Sequence, residues 1–222
     1  MPKRLTILLF LVFCWTGCTG PTDEPFGNHG SPFGAAPLAP HEVTLLRKKF
    51  PRNWKNPARA RSPDGPDERI LHSMAGKLRI IEQKVKADRG METTRTRIAT
   101  AFMDPSGRYL IGRDLPAEKK AQGETLFAIF HDKEAGIYRG VSWTKDLRGK
   151  EWPTQMAGRG IPGKNEIEWK PFFGKAHVGN TSRLNVRSRN SFTWTIRLFK
   201  GGQLKGEMVN TSQLTQSWPE EE

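Results

Sequence analysis

Beyond residue 77, apolar and polar residues alternate with a period of two, the spacing of a strand with one buried face. The clearest stretch is Ser191 to Phe199. Phe192, Trp194, Ile196 and Leu198 fall on one side, and Thr193, Thr195 and Arg197 on the other. Shorter stretches of the same kind cover Ile98–Phe102, Tyr109–Ile111, Thr125–His131, Gly136–Thr144, Trp152–Met156, Ile167–Trp169, Leu184–Val186 and Leu204–Val209. Turn signals separate them. Asp104-Pro105-Ser106-Gly107 has proline and glycine where a β-turn accepts them, and Lys200-Gly201-Gly202-Gln203 marks a tight hairpin. Before this series, Ile70, Leu71, Met74 and Leu78 share a helical face, with Gly76 as a stop signal, which predicts a short helix over Asp67–Ala75. Lys77–Lys86 fits a helix or a strand, and the strands that follow favour a strand.

About nine or ten strands then follow one another without intervening helices, which excludes a parallel sheet with helical crossovers. The predicted fold is mainly β, an antiparallel meander closed into a barrel or half-barrel over residues 67–217. Closure removes sheet edges. The composition is too hydrophilic, and several strands too short, for a barrel with a lipid-facing apolar band. Alternation assigns the Trp and Phe residues to the inner face and the charged residues to the outer one.

Three segments resemble an uncharacterised family of secreted bacterial proteins with lipocalin-like barrels. They are the helix and glycine of Leu71-His72-Ser73-Met74-Ala75-Gly76, the hairpin Asp132–Arg139 with Trp143, and the late strand Phe192-Thr193-Trp194-Thr195. The resemblance covers roughly residues 67–212. It departs at Leu78, where that family carries tryptophan. It implies a calycin-type barrel, with room for a small apolar cavity, and no particular activity.

The N-terminus has another character. Lys3 and Arg4 precede eleven largely apolar residues, Leu5 to Trp15, and then Thr16-Gly17-Cys18. The apolar run is shorter than the roughly 20 residues that span a bilayer and suits a signal peptide over 1–17. The layout resembles a bacterial lipoprotein signal, although Trp15 stands where that family usually has leucine. The resemblance implies cleavage before Cys18, lipidation of its thiol, and a protein held on the exported side of a bacterial membrane. An ordinary secretory signal with a chance Cys18 is the other reading. The second cysteine, Cys14, lies in the apolar run, so the mature chain is expected to lack an internal disulfide. Residues 19–66 hold nine of the sixteen prolines. They read, with Cys18, as a disordered tether from bilayer to barrel. Residues 218–222 form an acidic tail.

The net charge is +13, or +11 once Lys3 and Arg4 are removed with residues 1–17. Such a balance calls for an anionic neighbour, and export argues against nucleic acid. Between Arg47 and Arg61 there are seven basic residues and no acid. Arg47, Lys48, Lys49, Arg52 and Lys55, interleaved with Phe50 and Trp54, are candidates for contact with anionic lipid or cell-wall polymer. A solvated basic linker is the plainer reading.

Chemistry is sparse. Gly158-Arg159-Gly160-Ile161-Pro162-Gly163 spells a dinucleotide-binding pattern, but Pro162 and the strand after it deny the helix which that mechanism needs. His29, His41, His72, His131 and His177 show no metal-ligand spacing, and no nucleophile elbow or zinc-protease motif occurs. The sequence therefore implies neither a cofactor nor an enzyme. Trp143, Trp169 and Trp194 remain, at apolar mid-strand positions. They either wall a cavity for a small apolar or amphipathic ligand, oriented by Tyr138, Arg139 or Arg197, or simply fill the barrel.

Overall fold

The computed structural model describes residues 31–51, 54, 58–86, 90–116, 124–145, 151–172, 180–188, 191–200 and 203–216. Ten antiparallel strands form one closed barrel. They are β1 (Gly76–Lys86), β2 (Gly90–Met103), β3 (Tyr109–Pro116), β4 (Thr125–Asp132), β5 (Ile137–Lys145), β6 (Glu151–Gly160), β7 (Glu166–Pro171), β8 (Asn180–Ser188), β9 (Ser191–Lys200) and β10 (Gln203–Gln216). Each strand pairs with the next, and β10 closes on β1. Every expected strand forms, usually longer than its apolar core, and Lys77–Lys86 is extended.

Helix α2 (Pro66–His72) sits across one end. Proline at its first position loses no hydrogen bond there. Leu71, fully buried, and Met74, just beyond the helix, join the barrel core. Glu68 accepts a hydrogen bond from the Asp64 backbone N–H at 2.7 Å and pairs with Lys133 at 3.1 Å. These contacts tie the helix to the β4–β5 turn.

A further helix lies within the segment read as tether. Helix α1 (Pro40–Lys48) buries Val43 and Leu46 against the outer surface of β4 and β5, beside Leu126, Ala128, Val141 and Trp143. The expectation of an unstructured tether therefore fails over residues 31–51. Its prolines permit the helix, because Pro40 occupies the first position and Pro51 follows the end. Glu42 accepts a hydrogen bond from the Ala39 N–H at 2.7 Å, satisfying one free donor at the helix start. Phe50 meets Trp143 edge-on at 5.3 Å, and Trp54 meets Phe102 at 5.5 Å. The barrel thus has two apolar surfaces on this side. Leu46→Asp places a charge in the outer one and should release α1. We expect new protease cleavage within residues 31–54 while the barrel keeps its β circular-dichroism signal. Unchanged protection would show that α1 holds without this contact.

The interior is built around large aromatic residues and the glycines that admit them. A Cβ on Gly112 would lie 2.1 Å from the Phe127 ring, and one on Gly158 would lie 2.8 Å from Ile167 and 2.9 Å from Trp169. The Gly158–Gly163 pattern accordingly runs from β6 into the β6–β7 turn, with Gly158 making room for a tryptophan.

Candidate functional site

Inside the barrel, apolar side chains from β1 to β4 and β9 line a cavity of about 40 Å³. Leu78, Ile80, Phe127, Ile129 and Trp194 supply much of its wall, and Met74 reaches it from beneath α2. Two polar residues join the lining, Arg97 of β2 and Asn210 of β10. An apolar cavity of about 150 Å³ admits benzene, so this one suits a ligand of only a few heavy atoms unless side chains move.

Arg97 belongs to a buried charged network. Its Nη1 donates to Asp114 Oδ2 at 2.5 Å, and its Nη2 donates to Asn210 Oδ1 at 3.0 Å. Glu82 Oε2 lies 3.8 Å from the same guanidinium. Arg95 holds Glu82 through Nε at 3.1 Å and Nη2 at 3.0 Å, and Thr94 donates to its other oxygen at 2.8 Å. A register shift between Glu82 and Gln83 on β1 explains this double grip. Glu82 pairs with Arg95 and Gln83 with Thr93, leaving Thr94 as the extra residue of a bulge. The two arginines and two acids balance in charge. Burial pushes the Asp114 carboxyl up to about 6, against the downward pull of Arg97 and Arg95.

The residues singled out from the sequence divide between the two faces. Tyr138, Trp169 and Trp194 point inward. Trp169 and Trp194 stack with centroids 6.0 Å apart, and Trp194 lines the cavity while Trp169 backs it. Tyr138 serves the α2 end. Its hydroxyl donates to Asp67 Oδ1 at 2.6 Å, and burial together with that carboxylate raises its pKa far above the ordinary phenol range. His131 stands beside both, 3.7 Å from Asp67 Oδ2.

Trp143, Arg139 and Arg197 lie outside the barrel. This corrects the assignment of Trp143 to a cavity wall. Its side chain is 4% exposed because α1, Phe50 and the outer face of β4 cover it. Arg139 pairs with Asp132 at 3.1 Å and donates to the Ala36 carbonyl, which fastens the chain before α1. Arg197 is exposed and donates to Glu207 at 2.6 Å across the β9–β10 pair. Neither arginine can orient an interior ligand.

In the basic segment, Arg47 pairs with Glu151 at 3.3 Å and Lys49 with Asp104 at 3.6 Å. Lys48 is exposed. Cys18, Arg52 and Lys55 lie outside the described residues, as do residues 217–222. Among the described residues, no cluster of three or more His, Cys, Asp or Glu side chains is arranged to hold a metal, and no helix is long and apolar enough to cross a membrane.

Sequence reasoning missed Arg97, Asp114, Glu82 and Asn210. A signal for three of them was present. Arg97 is in phase with Ala99, Ala101 and Met103, Glu82 with Leu78 and Ile80, and Asp114 with Leu110 and Gly112. Each is a polar residue extending an apolar face by two positions.

No family model matches the chain, and no curated protein matches it. Among solved structures, it is similar to a protein of unknown function from the DUF3598 family of Nostoc punctiforme, with a TM-score of 0.42 and 11% identity. The match covers 65% of this chain and 48% of the other, so the chain spans about half the length of that protein.

Proposed function

We propose that the barrel binds a small ligand, apolar over most of its surface and polar at one end. The observation that carries this reading is the cavity lined by Trp194 and Arg97 among others, an apolar chamber with a guanidinium and a carboxamide in its lining. Pockets of this kind combine apolar walls with a few placed polar groups. The binding role is non-catalytic. The N-terminal sequence adds a location to the proposal: a lipid anchor on Cys18 holds the barrel to the exported face of a bacterial membrane. The alternative role, contact with anionic envelope polymer or lipid through the basic segment, has less support. Arg47 and Lys49 are already engaged with Glu151 and Asp104.

Native mass spectrometry of the detergent-solubilised full chain tests the binding role, together with tryptophan emission during titration with two-carbon compounds. We expect a small bound species or a saturable emission change that Trp194→Phe removes. A bare protein and unchanged emission would overturn the reading. For the anchor, Cys18→Ser should abolish fatty-acid labelling, and persistent labelling would overturn it.

A further inference from the structure

Resting on that reading of the cavity, we propose that the interior site takes a short-chain aliphatic carboxylate together with one proton. The carboxylate pairs with Arg97, and the proton goes to Asp114.

Size sets the first limit on the ligand. A cavity of about 40 Å³ has space for a few carbon atoms and none for a long acyl chain. Chemistry sets the second. Arg97 is the cationic residue in the cavity lining, and a guanidinium matches a carboxylate through paired donors. The rest of the lining, Asn210 apart, is apolar, so the remainder of the ligand is hydrocarbon.

Charge supplies the proton. The groups facing Asp114 are Arg97 and Arg95 from β2 and Glu82 from β1, with neutral Asn210 on β10 and Thr125 across the β3–β4 ladder. Arg95 is committed to Glu82, and Arg97 to Asp114. An entering anion would leave this buried, charge-balanced set with one uncompensated negative charge, which is expensive in a low-dielectric interior. Protonation of Asp114 cancels that excess and releases the Arg97 donor it now holds. The balance is simple: one carboxylate and one proton enter, and no covalent bond changes. Burial already favours the protonated carboxyl of Asp114, so the proton is taken up at little further cost near neutral pH.

Isothermal titration of the full chain with acetate, acetamide and ethanol, compounds of about three or four heavy atoms that respect the size limit, tests this. Above pH 6 all three compounds keep one charge state, since an aliphatic acid in water titrates near the glutamate value of about 4.3. Acetate affinity should fall nearly tenfold between pH 6.5 and 7.5, with about one proton taken up per ligand in buffers of different ionisation enthalpy. Ethanol affinity should be flat with pH. Asp114→Asn should bind acetate more tightly than the native chain at pH 7.5 and lose the pH dependence. If that variant keeps the dependence, the proton is not on Asp114 and the assignment is overturned. Arg97→Gln combined with Asp114→Asn removes both charges together, so neither is left unpaired. It should lose acetate and keep ethanol; retained acetate binding overturns the role of Arg97. Binding of ethanol and acetamide without acetate would overturn this inference and leave the cavity reading standing. Failure of all three compounds would overturn both.

Discussion

Trp169→Ala should destabilise the barrel by about 3–5 kcal/mol, the range for deleting a fully buried aromatic side chain. Trp169 is 0% exposed, stacked on Trp194 and 6.2 Å from Tyr138. Gly140 and Gly158 lie under its ring, so these two positions offer no side chain to fill the space it leaves. The cost includes both the lost burial and the cavity that remains. Urea unfolding monitored by circular dichroism measures it as a lower midpoint. A loss below about 1 kcal/mol would mean that the surrounding strands collapse onto the site and fill it.

Arg97→Met should cost a comparable amount, about 3–5 kcal/mol, because it leaves Asp114 buried without its cation. This cost should depend on pH, in a direction that the position of Asp114 fixes. Its carboxyl rises on folding from 3.8 to about 6. A raised carboxyl favours the folded state when protonated. Its contribution is fully present below about pH 4 and is lost as pH rises through about 6. Removing Arg97 raises the carboxyl further and moves that loss to higher pH. The variant should therefore be nearest to the native chain in mild acid and farthest from it at about pH 8. The double variant Arg97→Met with Asp114→Leu should recover most of the stability, since replacing both partners of a buried pair by apolar residues is often neutral. A double-mutant cycle across pH 5–8 checks all three statements. A pH-independent penalty, or a double variant no better than Arg97→Met, would show that the pair does not behave as an isolated buried couple.

Much of the fold was legible because a strand with one buried face writes its period into the chain. Phe192, Trp194 and Ile196 illustrate this, since alternation and burial coincide there without exception. Trp143 illustrates the failure. Alternation groups it with Ile137, Arg139 and Val141, and the expectation that tryptophan faces inward put that face on the wrong side of the sheet. The face is apolar because a second layer covers it. That layer, α1, was hidden by its prolines, which mark the helix start and end instead of breaking its interior.

The cavity site was less legible for a related reason. Arg97, Asp114, Glu82 and Asn210 come from four strands, and no two of them are neighbours in the chain. Each on its own is an ordinary polar residue within a strand. Only the pairing of β1 with β2 and β10, and of β2 with β3, brings them together.

The sequence by itself determined an antiparallel meander, the position of its ten strands and the short helix before them. These depend on local periodicity, turn chemistry and composition, which act within a few residues. Tertiary structure alone decided which face of each strand looks inward, that α1 covers the opposite side of β4 and β5, and that two arginines and two acids meet beside an apolar chamber. Those outcomes depend on strand register and barrel closure, and both are set by contacts between residues far apart in the chain.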